Sequence, residues 1–278
     1  LNSDTIVDEK SIKRILDLTS KKNVGSVTAL SNEQDIFSFA RDIKNPDEWL
    51  IYVNKLSFSK KFYLIPTMIG HFVIINSKAV NRDYLFREEF GFGYGEENEL
   101  SIYLSKNGYN NLMDMNSYCF HYGGTSFKSS KTEYVKKNLI LLNNLYPDYN
   151  KMIRFYKINS NYFKEILAVD IERLVKKLSQ TEIIIFDQKI GGGTNSYTLS
   201  HINSTIKDNY LLIIDDGNFF EFYSNKIKFL VNYKSLLYLK NLLGNLKKIK
   251  IVHVNHFIKS KIDPLKFFPK EKIQVIKK

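Results

Sequence analysis

Two kinds of apolar pattern follow one another along this chain, and they predict different architecture. In the first half, apolar residues recur at helical spacing between short strands. DEKSIKRILDLTSKK places Ile12, Ile15, Leu16 and Leu18 on one face of a short helix. NVGSVTAL (23–30) reads as a strand, and residues 31–49 read as a loop with little periodicity. Pro66 introduces a second apolar strand over Gly70–Asn76, and a short helix and turn is expected over Asn81–Phe90. Glu96–Lys106 reads as a helix that turns Leu100, Ile102, Tyr103 and Leu104 to a core and stops at Asn107-Gly108. A strand over Met113–His121 follows, then an amphipathic helix over Ser130–Leu145 ended by Pro147. Residues 149–161 are expected to connect to a helix over Tyr162–Gln180, with Ile166, Leu167, Ile171, Leu174 and Leu178 at helical spacing.

The second half changes to unbroken apolar runs. TEIIIFD (181–187), YLLIIDD (210–216) and IKIVHVNH (249–256) have the continuous character of parallel strands covered on both faces. FFEFYS and KIKFLVNY add two further strands, and a helix is expected over Lys234–Leu246. Strands alternating with helices indicate a doubly wound sheet. The chain ends at Lys278 after about half the strands such a domain normally has.

Composition sharpens this division. Over residues 1–150 the Lys and Arg balance the Asp and Glu at 18 each, whereas 151–278 carries 23 against 11 and supplies the whole +12. A basic second unit could meet anionic lipid headgroups, phosphorylated substrates or nucleic acid, although a solvated lysine surface has the same composition. A hydrophobic content of 44% is ample for a core. A single cysteine, Cys119, excludes an intrachain disulfide framework and suits a reducing compartment. No run is long and apolar enough to span a membrane. Leu1 stands where a Met would open a reading frame, so the chain is expected to begin inside a domain.

The chemistry concentrates in residues 90–126, FGFGYGEENELSIYLSKNGYNNLMDMNSYCFHYGGTS. A glycine-broken loop runs into Glu96, Glu97 and Glu99 at a helix start, and His121 ends the following strand beside a glycine pair. Carboxylates at a helix start are also what the macrodipole alone favours. Together with Asp4 at another strand end, however, Glu and His side chains at element ends suit a hard divalent cation and a nearby general base.

These pieces, in this order, resemble glycosyltransferase family 2 from its Asp-x-Asp motif onward. LNSDT is similar to the metal-binding strand end, and VGSVTALSN to the segment after it. PTMIGHFVIINSKAV resembles the acceptor-side strand, FGFGYGEENELSIYLSKNGY the Gly-x-Gly-Glu-Asp-x-Asp-Leu segment, and FHYGGTSF the histidine-bearing strand end. The resemblance covers residues 1 to about 127. It implies the GT-A fold and an inverting displacement. A Mg²⁺ or Mn²⁺ ion held by Asp4, and by His121 if that ring is a ligand rather than a satisfied strand-end imidazole, would neutralise the leaving nucleoside diphosphate. Glu97 would be the base, with Glu96 its rival, and Gly70 and Gly95 would lie on the acceptor side. This chain departs from the family at Asn2, where the first acid of Asp-x-Asp is absent, and in carrying Glu96-Glu97 for Glu-Asp. The family's nucleoside-binding half is absent before Leu1, so this piece alone is expected to be inactive.

IIIFDQKIGGGTNSYTLSHI puts Gly191, Gly192 and Gly193 between a buried strand and a helix, where backbone N–H groups can approach a phosphate. With IKIVHVNHFI it resembles the N-terminal half of a GT-B glycosyltransferase of the family 4 kind. The expected fold class is therefore α/β, the C-terminal part of a GT-A domain followed by an incomplete Rossmann-like GT-B N-terminal domain. The boundaries expected are 1–148, a connector and linking helix over 149–180, and 181–278. The implied partners are a nucleotide-sugar donor and a glycan or lipid-linked acceptor in bacterial surface polysaccharide synthesis. The implied location is cytoplasmic, against the anionic inner face of the membrane. A catalytically degenerate sugar-binding module is the alternative, and no motif for specific nucleic-acid recognition is present.

Overall fold

The structure is a computed structural model that describes residues 1–34, 37–40, 43–81, 85–91, 94–122, 131–188, 196–198, 200, 202, 209–215, 220–224, 227–231, 241–254 and 270–275. It is mixed α/β and divides into two units, Leu1–Ile166 and Leu167–Lys278.

The first unit is built on one long strand. Strands β1 (Thr5–Val7), β2 (Val24–Ser31), β3 (Phe62–Leu64), β4 (Val73–Ile75) and β5 (Asn110–His121) form a mixed sheet in the order β1-β5-β2-β4. β5 pairs in parallel with β2 along one edge, and antiparallel with β3 and β1 at opposite ends of the other. The helices are α1 (Glu9–Thr19), α2 (Pro46–Val53), α3 (Glu96–Lys106), α4 (Lys131–Leu145) and α5 (Tyr149–Asn159), with α6 (Asn161–Lys177) running across the unit boundary. Asp8 caps α1 by accepting from the Ser11 N–H at 2.6 Å. The α1 face that packs on the sheet carries Ile15 and Leu18, while Leu16, expected on that face, is exposed.

Several sequence expectations need correction. The segment read as a loop over 31–49 holds the start of α2, where Asn45 accepts from the Glu48 N–H and Pro46 takes the first turn. The strand expected from Gly70 begins only at Val73, and Gly70 lies in the turn before it. β5 starts three residues before Met113, because buried Asn111 is satisfied by Ser26, Ser101 and Ser105 rather than excluded by its polarity. The stretch read as a connector over 149–161 is helical. Tyr149, Ile153 and Tyr156 recur at i, i+4 and i+7. Tyr149 packs with Phe90 and Leu142, and Tyr156 packs edge-on against Phe37.

The second unit holds β6 (Ile183–Gln188), β7 (Tyr210–Asp215), β8 (Phe220–Ser224), β9 (Ile227–Val231), β10 (Ile251–Val254) and β11 (Ile273–Val275), in the order β11-β10-β6-β7-β8-β9. β11, β10, β6 and β7 are parallel, and β8 and β9 close the edge antiparallel. Alternate residues of β6 serve two cores. Ile184 and Phe186 pack with Leu174, Leu178, Leu242 and Leu243, and Ile185 packs with Ile202 and Leu212. Burial on both faces is why this strand reads as a continuous apolar run.

Candidate active site

The first group of candidate residues opens α3. Gly95 is the residue before the helix, at φ +133°, and a Cβ there would stand 2.9 Å from the Phe90 ring. Both its backbone conformation and its packing therefore require glycine at this position. Its N–H donates to Glu97 Oε2 at 3.3 Å, turning that carboxylate back over the helix start. Glu96 lies against Glu97, and the Glu96 Oε2 is buried with no hydrogen-bond partner among the described residues. The Glu97 carboxyl is pushed up to about 7, first by burial and then by the neighbouring Glu96 charge. Glu99 behaves differently. It is fully buried, and its Oε1 accepts from the Tyr146 hydroxyl at 2.7 Å and meets Arg87 Nε at 3.3 Å. Glu99 ties α3 to the segments around it through these contacts.

The second group forms where β1 meets the end of β5. Thr5 pairs with His121, and the Tyr122 N–H donates to the Asp4 carbonyl, which brings Asp4 beside the imidazole. His121 Nε2 lies 3.1 Å from Asp4 Oδ1, and Nδ1 lies 3.3 Å from the Glu33 carbonyl oxygen. Asn32 fixes the backbone there, accepting from the His121 N–H and donating to its carbonyl. Both ring nitrogens thus face oxygen acceptors, yet a neutral imidazole can donate from only one. A divalent ion at the Nε2–Asp4 edge would remove the conflict. The donor set fits a cation that keeps most of its shell as water and phosphate oxygens. Among the described residues no group of three or more His, Cys, Asp or Glu side chains could hold a metal unaided.

His71 carries no role in the sequence reading, yet it belongs to this group. Its ring stacks on His121 with centroids 4.9 Å apart and planes 8° from parallel. Burial, followed by the neighbouring His121, pulls its pKa down to about 3, so the ring is neutral, and its buried Nε2 has no partner among the described residues. In-plane lone pairs on two parallel rings do not converge, so His71 and His121 cannot chelate one ion together. The signal that could have found His71 is its place directly after Gly70 in the turn before β4.

Residues 68–71 lie between the two groups. Ser101 Oγ donates to the Glu97 carbonyl at 2.6 Å and accepts from the Met68 N–H at 2.8 Å. Three residues on, the His71 carbonyl accepts from the Asn2 N–H at 2.8 Å. Gly70 is exposed between these ties, and a Cβ there would meet nothing within 4 Å. The structure thus brings Asp4 to His121 and Glu96 to Glu97, and it joins the two pairs through the segment that carries Gly70. Gly191, Gly192 and Gly193 lie outside the described residues. No family model matches the chain, and no curated protein matches it.

Proposed function

We propose that the chain is part of an inverting glycosyltransferase. In this reading the first unit supplies the acceptor side of a GT-A-type domain, and the second is the front of a GT-B-type module. The observation that carries the proposal is the half-buried Glu96–Glu97 pair. A carboxylate with a pKa near the working pH combines a useful ionised fraction with real proton affinity, which is what a general base needs.

The chemistry assigned to these residues is a single displacement. The acceptor hydroxyl oxygen attacks the anomeric carbon from the face opposite the leaving group. Glu97 takes the hydroxyl proton as the new C–O bond forms. The nucleoside diphosphate departs with the electrons of the old bond. Glu96, next to Glu97, raises the proton affinity of the base and is available to orient the acceptor. Asp4 and His121 would hold Mg²⁺ or Mn²⁺, which supplies positive charge to the departing diphosphate. Gly70 leaves open space beside this line of residues for a sugar ring.

The test uses the polypeptide of the complete reading frame. Glu97→Gln is expected to lower kcat by at least ~100-fold while leaving Mn²⁺-dependent nucleotide-sugar binding, read by titration calorimetry, unchanged. Full activity in that variant overturns the base assignment. Binding by the unmodified protein without turnover on any lipid-linked or glycan acceptor favours a degenerate binding module instead.

A further inference from the structure

The helical hairpin α4–α5 has one face committed to the fold of the first unit and another without a partner among the described residues of that unit. Inward, Leu142 and Tyr149 pack with Phe90, with Leu141, Leu145 and Ile153 around them, and Asn150 Nδ2 donates to Asn143 Oδ1 at 2.7 Å between the helices. Outward, the hairpin exposes five large apolar side chains, Val135, Leu139, Ile140, Met152 and Phe155, the last at 69%. Isolated exposed apolar residues are ordinary, but five on two consecutive helices exceed that scatter.

The charges of the hairpin are mainly of one sign. Over residues 131–159 the cations are Lys131, Lys136, Lys137, Lys151, Arg154 and Lys157, and the carboxylates are Glu133 and Asp148. Asp148 is already paired with Lys151 at 2.9 Å. Exposed apolar groups interleaved with cations and few acids fit a lipid headgroup layer, where the apolar groups enter the acyl boundary and the cations meet phosphates.

We propose that the outer face of α4–α5 docks this chain on an anionic lipid surface. No helix among the described residues is long and apolar enough to cross a membrane, so the contact is interfacial. The proposal deepens the lipid-linked acceptor suggested above and rests on it for the choice of partner. Vesicle binding needs neither donor nor acceptor, so the two ideas fail separately.

The experiment is co-sedimentation of the chain with vesicles of phosphatidylglycerol and phosphatidylcholine, against vesicles of phosphatidylcholine alone. Binding is expected only to the anionic vesicles and should weaken as salt rises. Met152→Ser with Phe155→Ser should lower the partition coefficient on the order of tenfold. Lys136→Gln with Arg154→Gln should lower it about thirtyfold. Lys55→Gln, an exposed change elsewhere in the first unit, should leave it unaltered, and circular dichroism should show all variants folded. Equal binding to neutral vesicles, no binding, or equal loss with Lys55→Gln overturns the proposal. So does a concentration-dependent dimer that the Met152/Phe155 variant abolishes, since a second copy would then cover the hairpin.

Discussion

Asp114 is fully buried and Glu97 half-buried, and the fold of the first unit treats these two carboxylates in opposite ways. Asp114 is fully buried on β5 and matched by Arg14, whose Nε and Nη2 reach its two oxygens at 2.7 and 3.1 Å. Ser117 adds a third bond, from a bulge where β5 carries extra residues against β2. Glu99, one turn from the helix start, is likewise matched by Arg87 and Tyr146. Among the described residues no guanidinium meets Glu97, and the charge that acts on it is another carboxylate, Glu96. The lesson is that this chain can neutralise a buried acid when stability requires it. Leaving Glu97 unneutralised costs stability, and that cost is explained if the group must exchange a proton.

The sharpest way to break the contrast is to remove a partner from the matched acid. Arg14→Met strands the Asp114 charge where water cannot reach it and is expected to cost about 4 kcal/mol, read by urea unfolding. A loss below 1 kcal/mol would mean that Asp114 is no better matched than Glu97.

The reverse experiment leaves Glu97 in place and varies pH. Its folded pKa, about 7, lies above the unfolded value of 4.5, so the folded chain binds more protons between those two limits. Stability contributed by the protonated form is present below pH 4.5 and is lost as pH rises through about 7. The loss over that window is about 3 kcal/mol. Glu97→Gln should flatten that part of the profile and make the chain more stable than the unmodified one at pH 8. If Glu97 is the proposed general base, transferase activity should rise with pH across the same range, because a base acts ionised. An unchanged stability profile in Glu97→Gln would show that this carboxyl is not the perturbed group.

Local patterns of the fold were legible in sequence, and long-range pairings were not. The helix over Glu96–Lys106 was readable because its acids, apolar positions and Asn-Gly stop all lie within thirteen residues. β6 was readable because burial on both faces leaves an unbroken apolar run. α5 is harder to read because Pro147 precedes it and its inward face is aromatic and spaced among cations, although the spacing itself is helical. The Arg14–Asp114 pair joins residues 100 apart, and nothing local to either marks the other. The same holds for His71 against His121, whose stacking exists only after β4 and β5 take their places on either side of β2. Of the candidate site, the residue types and their order were in the sequence. Which acid would lack a counter-charge was decided by packing.

A smaller effect tests whether the Glu97 environment depends on its turn. Gly95→Ala forces a side chain into a positive-φ conformation and against Phe90, at an expected cost of about 2 kcal/mol. The added strain should displace the Gly95 N–H from Glu97 Oε2, so the Glu97 pKa should move further up, followed by the carboxyl signal in NMR titration. Stability lost without any change in that titration would detach the turn from the acid it appears beside in the structure.

The smallest effect belongs to a pair that is matched but not buried. Glu9 and Lys13 meet at 2.6 Å one turn apart on α1, with side chains 80% and 71% exposed. Their separation is shorter than any contact Asp114 makes with Arg14, so a rule based on distance alone would rank this pair first. Burial reverses the ranking. Water and ions compete for both groups, and holding two long side chains together costs rotamer entropy. Lys13→Ala is therefore expected to shift the melting midpoint by less than about 2 °C. A shift comparable to that of Arg14→Met would mean that pairing, rather than desolvation, governs the carboxylates of this unit. The unmatched state of Glu97 would then no longer support its proposal as a general base.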